Sequence, residues 1–499
     1  MLSPIDFGGK PFHFIGVGGI GMSALAYILA KRNLPVSGSD LKLSHITEKL
    51  QELGACIFGS QDAENLEYYR RPPAIGKEKW KNREKDESAA IAPTEIDLRF
   101  SNTSTVQKNL DDWLPQVICS TAINSSNAEY KAAQELGCPI YHRSDVLAAL
   151  IREYRSIAVA GTHGKTTTSS LIGYLFLQAQ LDPTIIIGGE VKAWEGNARF
   201  GRGEFLVAEA DESDGSLVKF ASEIGVITNI DFDHPDHYTS IDRVIETFEI
   251  FKNKCKTLVG CIDCPQVRDR INPQITYSLD LQSGADYSVD SIVYDSHGTR
   301  ARVWERGKEL GEIQLPILGK HNLSNALAAI AVSRHLNIDF TTIAQALSSF
   351  EGAKRRFEYR GQFNGCTLID DYAHHPSEIQ ATLAAVRLRA KDQRAIAIFQ
   401  PHRYSRTETF LSEFSQSFGQ ADRVVVTDIY SAGEPNDRHL QGETVAEAIG
   451  QYHPQVSYQP TLNAVKDYLI EHLRPGDYAV FLGAGNLNQV IPELIADRA

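Results

Sequence analysis

The chain has 499 residues, of which 42% are hydrophobic and 23% are charged, so it can form several buried cores, and its length predicts about three domains. The formal net charge of −13 argues against general nucleic-acid binding, which depends on lysine and arginine contacts to phosphate. Seven scattered cysteines are typical of reduced thiols. No apolar run predicts a membrane span and no signal pattern begins the sequence, so we expect a cytoplasmic protein without membrane insertion.

A glycine-rich loop follows the first predicted strand, residues 10–15. Gly16, Gly18 and Gly21 form a G-x-G-x-x-G pattern ahead of an amphipathic helix. Asp40 ends the second predicted strand, about twenty residues later, where a Rossmann unit places its ribose-binding acid. By itself this pattern predicts a dinucleotide-dependent dehydrogenase. A packing turn without a ligand, or a loop for another nucleotide diphosphate, are the alternatives.

The segment from about residue 69 to 104 differs from the βα alternation around it. It is rich in Lys, Arg, Glu, Pro and Ala and has no apolar period. Such a composition cannot bury enough surface to offset the entropy of ordering. We therefore predict an inserted, mobile loop here.

A second glycine loop follows the predicted strand 156–160. Gly161, Gly164, Lys165 and Thr166 precede a predicted helix, which is the arrangement of a phosphate-binding loop shorter than the full P-loop pattern. Glycines let backbone N–H groups face an anion, and the lysine adds a point charge. Thr166 is placed to bind Mg²⁺. An ordinary strand-to-helix turn is the alternative.

Acidic and imidazole side chains follow the next two predicted strands. Carboxylates at the carboxyl end of a strand beside a phosphate-binding loop are where Mg²⁺ is held. We expect one carboxylate of the first group to bind the metal and the second group to face the same crevice. The groups are Glu209, Asp211, Glu212 and Asp214, then Asp231, Asp233, His234, Asp236 and His237.

The last third of the chain predicts a second doubly wound sheet with polar groups at its strand ends. Before it, Asn322 and Asn325 begin a helix, where they could cap the helix or pair with an adenine edge. Arginines near these strand ends are the expected clamp for phosphate or carboxylate, with surface salt bridges as the alternative. The polar groups are Arg355, Arg356, Asp370, Asp371, Tyr372, His374, His375, His402, Arg403 and Arg406.

Nine motifs, in this order, resemble those of the Mur ligase family, and within it those of the UDP-N-acetylmuramate:L-alanine ligases of peptidoglycan synthesis. They are GVGGIGMSALA, GTHGKTTT, EADESD, TNIDFDH, HNLSNALAA, RRFE, DDYAHHP, FQPHRYSRT and GAGN. The resemblance implies an α/β protein of three domains. These are a Rossmann-like UDP-sugar domain (1–153), a central P-loop ATPase domain with a mostly parallel sheet (154–350) and a Rossmann-like amino-acid domain (351–499).

The resemblance also implies a role for individual residues. The UDP-sugar would be bound by Gly16, Gly18, Gly19, Gly21 and Asp40. ATP would be bound by Gly161, Thr162, His163, Gly164, Lys165, Thr166, Thr167, Asn322, Asn325 and Arg356. Mg²⁺ would be held by Thr166, Glu209 and His234. The amino acid would contact Tyr372, His374 and Arg406, and the catalytic set would be Lys165, Asp371, His374, Arg403 and Arg406.

The implied reaction uses UDP-N-acetylmuramate, L-alanine and ATP, with Mg²⁺, in a monomer or homodimer. The muramate carboxylate attacks the γ-phosphate, and the alanine amine then displaces phosphate from the acyl phosphate. Cations stabilise the negative charge that builds on oxygen. His374 is the predicted base for the alanine ammonium, with His375 next.

The sequence departs from the family pattern at three places. The residues after Gly59 lack a histidine that often follows there, the insertion is longer than usual, and residues 246–251 offer no lysine where sister ligases carry a carbamoylated one. Four alternatives stay open at this point. They are a murein-recycling ligase that attaches a tripeptide, a folate or cyanophycin ligase, a non-catalytic nucleotide sensor and the dehydrogenase.

Overall fold

The computed structural model describes residues 4–69, 114–295 and 298–497. Apart from Tyr69, the predicted inserted loop lies outside these residues. Contacts divide the chain into two compact units, Met1–Leu150 and Ile151–Ala499. Among the described residues, the first unit contains one β-sheet and the second contains two. No helix in the described ranges is long and apolar enough to cross a bilayer.

The first unit is built on a five-stranded parallel sheet of order β3-β2-β1-β4-β5. Because every strand is parallel, the ends that follow β1 and β2 lie at one edge, and the first glycine loop is there. The elements are β1 Phe12–Ile15, α1 Ile20–Lys31, β2 Val36–Ser39, α2 His45–Glu52, β3 Cys56–Phe58, a 3₁₀ helix Ala63–Tyr69, β4 Gln116–Cys119, α3 Ala128–Glu135, β5 Ile140–His142 and α4 Arg143–Glu153.

The second unit begins with a ten-stranded sheet of order β15-β14-β13-β12-β11-β10-β6-β9-β7-β8. Its interior strands are parallel, and the outer strands β8, β14 and β15 pair antiparallel. The strands are β6 Arg155–Ala160, β7 Thr184–Val191, β8 Gly196–Arg199, β9 Phe205–Glu209, β10 Ile224–Ile227, β11 Thr257–Cys261, β12 Ile275–Tyr277, β13 Tyr287–Asp295, β14 Gly298–Glu305 and β15 Lys308–Leu315. The α-helices are α5 Lys165–Gln178, α6 Ile241–Lys254, α7 Lys320–His335 and α8 Phe340–Leu347.

A six-stranded sheet of order β16-β17-β21-β18-β19-β20, called the third sheet below, completes the second unit. Only its edge strand β16 is antiparallel. The strands are β16 Glu358–Phe363, β17 Cys366–Asp371, β18 Ala395–Phe399, β19 Arg423–Val426, β20 Val456–Tyr458 and β21 Tyr478–Leu482. The α-helices are α9 Pro376–Ala390, α10 Tyr404–Thr409, α11 Leu411–Ser415, α12 Gly442–Gly450, α13 Leu462–His472 and α14 Val490–Ala496.

The phosphate-loop helix α5 is held by a large apolar core. Leu171, Leu175 and Phe176 of α5 pack with alanines and Ile330 of α7 against strands β6, β9 and β10. Phe176 is fully buried, and truncating such a side chain to alanine costs about 3–5 kcal/mol. This core fixes the start of α5, and with it the loop that precedes the helix.

Candidate active site

The phosphate loop between β6 and α5 requires glycine at two positions. Gly161 has φ 137° and Gly164 has φ 84°, both in the left-handed range. A Cβ at position 161 would lie 2.0 Å from Thr228 Oγ1, and one at 164 would lie 2.4 Å from Asn325 Oδ1. The loop therefore needs glycine both for its backbone conformation and for the close approach of its neighbours.

The loop that follows β10 braces the phosphate loop. Asn229 Oδ1 accepts the backbone N–H of His163 at 2.9 Å, and Thr228 Oγ1 donates to the His163 carbonyl at 2.6 Å. Thr162 Oγ1 accepts the N–H of Asp231 at 2.9 Å. The glycine pattern predicted this loop from the sequence. The bracing by Thr228 and Asn229 was not predicted, although the TNID motif was its signal.

Lys165 points toward the acids that follow β9. Its Nζ donates to both carboxylate oxygens of Glu212 at 3.0 and 2.9 Å, and lies 3.6 Å from Asp211. Burial lowers the pKa of Lys165, but the charges of Glu212 and Asp211 outweigh burial and raise it above its usual range. The lysine is thus a fixed cation at the strand ends, as a phosphate-binding role requires.

Two of the predicted metal ligands, His234 and Glu209, have different partners in the structure, and Mg²⁺ binding by Thr166, Glu209 and His234 stays a prediction. His234 groups with Asp211 and Glu212, with ligand atoms within 4.8 Å of one another. Glu209 accepts the Gly188 N–H at 2.7 Å instead. Two carboxylates and an imidazole fit a divalent cation, and carboxylate oxygens suit Mg²⁺. Asp211 and Glu212 were candidates in the sequence, but their grouping with His234 depends on the course of the loops.

Arg356 and Asp371 bring the third sheet to the phosphate loop. Arg356 donates to Thr166 Oγ1 at 3.4 Å and lies over the ring of Tyr372, 5.1 Å from its centroid. Asp371 accepts the N–H groups of Phe357 and Ala373, each at 2.8 Å. Burial raises the pKa of Asp371 to about 6, although Arg356 and these N–H donors act to lower it. Asp371 thus positions the segment that carries Arg356 and Tyr372.

Two arginines of the third sheet pair with acids that follow β10. Arg406 is buried and donates to the two carboxylate oxygens of Asp233 at 2.9 and 3.3 Å. It also lies 3.4 Å from His234 Nδ1. Arg403 donates to Asp236 at 2.7 Å in a more exposed position. Both arginines were predicted site residues, and the structure places them at the same crevice as His234.

His374 is held beside these arginines. Its Nδ1 lies 2.8 Å from the Tyr372 carbonyl, and its ring contacts the ring of His402 edge-on. Burial, more than any neighbouring charge, lowers the pKa of His374 to about 4. The imidazole is therefore neutral near pH 7 and has a lone pair with which to accept a proton.

Glu378 is a residue of the site that sequence reasoning missed. It lies in the first turn of α9, where its carboxylate accepts the N–H groups of His374 and His375 and contacts His163 Nδ1 at 3.2 Å. Burial lowers the pKa of His163, but hydrogen bonds to Asp231 and Glu378 outweigh it and raise this pKa to about 9. An acid three residues after a helix cap was the available signal.

Asn322 and Asn325 lie in the first turns of α7, on the side of the phosphate loop. Asn322 donates to the Leu318 carbonyl at 2.7 Å, and Asn325 lies against Gly164. Neither caps the helix, since Gly319 is the cap residue and no side-chain cap bond is present there. The capping alternative is therefore wrong, and adenine binding stays a prediction.

The glycine loop of the first unit has its own acid. Gly16 has φ 80°, and the Gly18 N–H donates to Asp40 Oδ2 at 2.8 Å. The guanidinium of Arg143 lies close to Gly21, 3.3 Å from where a Cβ would stand. Asp40 directly follows β2, close to where the sequence placed the strand end, and it fixes the loop through the Gly18 N–H.

The chain matches three family models in succession. They are the Mur ligase family catalytic domain over residues 11–155, the Mur ligase middle domain over 159–333 and the Mur ligase glutamate ligase domain over 355–485. The chain belongs to the Mur ligase family. Membership confirms the predicted α/β fold of three domains, while the exact boundaries stay predictions.

Individual Mur ligases resemble the chain over nearly its full length. A UDP-N-acetylmuramate–L-alanine ligase of Nostoc sp. is 61% identical over 504 residues, covering 99% of this chain and 98% of the relative. One from Gloeothece citriformis is 56% identical over 507 residues and covers both chains completely. Among solved structures, a UDP-N-acetylmuramate-alanine ligase of Thermotoga maritima aligns with TM-score 0.77 at 25% identity, over 98% of this chain and 99% of that one.

A murein peptide ligase of Psychrobacter arcticus shares the same fold. It aligns with TM-score 0.69 at 20% identity over 98% of each chain. The fold by itself therefore does not distinguish between Mur ligases that use different amines. Sequence similarity to the alanine ligases over the whole chain is a stronger indication of the amine substrate than the fold is.

Proposed function

We propose that this chain joins L-alanine to UDP-N-acetylmuramate and cleaves ATP to ADP and phosphate. Its relatives of 56–61% identity are named as UDP-N-acetylmuramate–L-alanine ligases. The observation that carries the proposal is the arrangement around Lys165. A protonated lysine in a phosphate loop lies beside strand-end carboxylates, and Arg356 reaches the same loop from the third sheet. This is the charge arrangement that phosphoryl transfer to a carboxylate requires.

The first step forms an acyl phosphate. A muramate carboxylate oxygen bonds to the γ-phosphorus as the bond to the bridging oxygen of ADP breaks. Lys165 and the backbone N–H groups of the loop bind the phosphate oxygens, and Arg356 reaches them from the opposite side. Mg²⁺, which Asp211, Glu212, His234 and the Thr166 hydroxyl could hold, neutralises phosphate charge when bound.

The second step forms the amide bond. The alanine amine attacks the acyl carbon, and phosphate leaves as the carbon–oxygen bond breaks. Arg406 places a cationic group near His374, so an alanine carboxylate bound by Arg406 and Arg403 would present its ammonium to that imidazole. His374 is the proposed proton acceptor because it is the predicted base of the DDYAHHP motif and lies near Arg406. We further propose that the enzyme works in the cytoplasm, as a monomer or homodimer.

An amine screen tests this function. Purified protein is incubated with ATP, Mg²⁺ and UDP-N-acetylmuramate, and phosphate release is measured with L-alanine, L-serine, glycine or the murein tripeptide. L-alanine should give the highest kcat/KM, with no release when either the nucleotide sugar or the amine is omitted. Faster release with the tripeptide would favour the recycling reaction, and release that needs neither substrate would contradict both.

A further inference from the structure

A second cluster of metal-ligand side chains lies beside the phosphate loop, distinct from the group around His234. It consists of His163 in the loop after β6, Asp231 after β10 and His375 at the start of α9. Their ligand atoms all lie within 4.8 Å of one another. The proposed reaction uses the backbone of His163 but none of these three side chains.

The Nδ1 atom of each imidazole in this cluster contacts a side-chain oxygen of α9. His163 Nδ1 contacts Glu378 Oε1 at 3.2 Å, and His375 Nδ1 contacts Ser377 Oγ at 2.8 Å. A carboxylate or hydroxyl on the far nitrogen is how proteins orient histidines that bind metals. His163 Nε2 lies 3.5 Å from Asp231 Oδ2 and 3.1 Å from Ser377 Oγ, the hydroxyl that also contacts His375 Nδ1.

The Nε2 atom of His375 is the second, independent observation. His375 is only 4% exposed, and its Nε2 is buried with no hydrogen-bond partner among the described residues. A buried polar atom without a partner costs about 1–3 kcal/mol, so this nitrogen requires a partner such as a water or an ion. The two imidazole rings lie with centroids 4.8 Å apart, close enough for one ion between them after a small shift.

We propose that His163, Asp231 and His375 bind a transition-metal ion of the Zn²⁺ class. Two imidazoles and one carboxylate are a typical zinc ligand set with an open fourth position, whereas Mg²⁺ prefers oxygen ligands. The cluster around His234 has the opposite balance, with two carboxylates and one imidazole. The two sites therefore select different metals.

Bound metal would connect two parts of the second unit. His163 and Asp231 follow strands of the ten-stranded sheet, whereas His375 precedes the first helix of the six-stranded sheet. An ion shared by these residues cross-links the phosphate loop to α9. The ligand nitrogens must be unprotonated, so binding also releases protons and strengthens as pH rises.

Equilibrium dialysis with Zn²⁺ alone as the probe tests the site, in saturating Mg²⁺ and without substrates. The wild-type chain should bind one equivalent in the micromolar range or tighter, and Co²⁺ in its place should give the visible absorption of a four-coordinate site. Glu378→Gln can still accept the N–H groups of His374 and His375, but it removes the negative charge beside His163 Nδ1. It should therefore weaken Zn²⁺ binding about 10- to 100-fold. His375→Gln should weaken it further.

Two matched variants serve as controls. His237→Gln removes an exposed imidazole from the same loop as Asp231 and should leave Zn²⁺ affinity unchanged. His234→Gln alters the other cluster and should also leave it unchanged. Zn²⁺ binding that is lost in His234→Gln but kept in His375→Gln would place the ion in the Mg²⁺ cluster and overturn the proposal, as would no binding at all. Substrates are absent, so neither result bears on the ligase reaction.

Discussion

The Arg406–Asp233 pair holds the third sheet against the loop after β10, and replacing Asp233 by alanine tests its strength. The two side chains are each 4% exposed, and they meet in a two-contact geometry at 2.9 and 3.3 Å. Within the part of the chain that the structure describes, the variant leaves Arg406 with His402 Nδ1 and His234 Nδ1 as hydrogen-bond acceptors, at 3.3 and 3.4 Å. Neither carries a negative charge.

The expected effect is large because the substitution strands a buried cation. Removing one partner of a buried ion pair costs about 3–5 kcal/mol, since solvent can neither screen nor rehydrate the remaining charge. The matched control is Asp236→Ala at the Arg403 pair. Those side chains are each 35% exposed, and Arg403 keeps a 3.5 Å contact with Glu434, so the expected cost is about 0–1 kcal/mol.

Urea unfolding of the two variants and the parent, followed by fluorescence and circular dichroism, measures the difference. Asp233→Ala should lower the midpoint of the second unit far more than Asp236→Ala. Arg406 holds the pKa of Asp233 well below its usual range against the effect of burial, so the stabilisation is present above about pH 4 and is lost as pH falls below it. Equal losses in the two variants at pH 7 would refute the buried-pair reasoning.

Three further predictions concern the phosphate loop. Lys165→Ala should abolish phosphate release while leaving binding of the UDP-sugar, measured by calorimetry, nearly unchanged; retained turnover would contradict the role of the loop. Gly161→Ala should prevent ATP binding because its Cβ would lie 2.0 Å from Thr228 Oγ1. The control is Gly284→Ala, which also has a positive φ but has open space around the new Cβ. It should lower stability by only about 1–2 kcal/mol and leave ATP affinity unchanged. His163→Gln should remove stability that is fully present below about pH 6.5 and lost as pH rises through about 9, so thermal unfolding of parent and variant should converge in alkali; a constant difference across that range would show that His163 does not titrate.

Much of the architecture followed from local pattern. Each glycine loop lies between a strand and a helix, as its spacing predicted, because only glycine adopts the left-handed backbone at Gly16, Gly161 and Gly164 without strain. Apolar runs such as residues 205–208 form buried strands, since parallel sheets are covered on both faces. These features depend on near neighbours in the chain and can therefore be read from it.

The partners of the site side chains could not be read in the same way. Glu209 and Glu212 are three residues apart after the same strand, yet Glu212 bonds to Lys165 while Glu209 bonds to the Gly188 N–H of β7. The difference is set by the strand order β6-β9-β7, which places β7 beside β9. Charge type and position were predictable, but the choice of partner was not.

The sequence by itself determined the family, the order of the three sheets and the identity of the phosphate loop, because these depend on residue types at short spacing. Only the tertiary structure decided that Arg406 meets Asp233, that His163 meets Glu378 and that His375 comes close to Asp231. Those contacts join residues 144 to 215 positions apart. Their geometry arises when two sheets with separate cores pack together, and no local pattern encodes that packing.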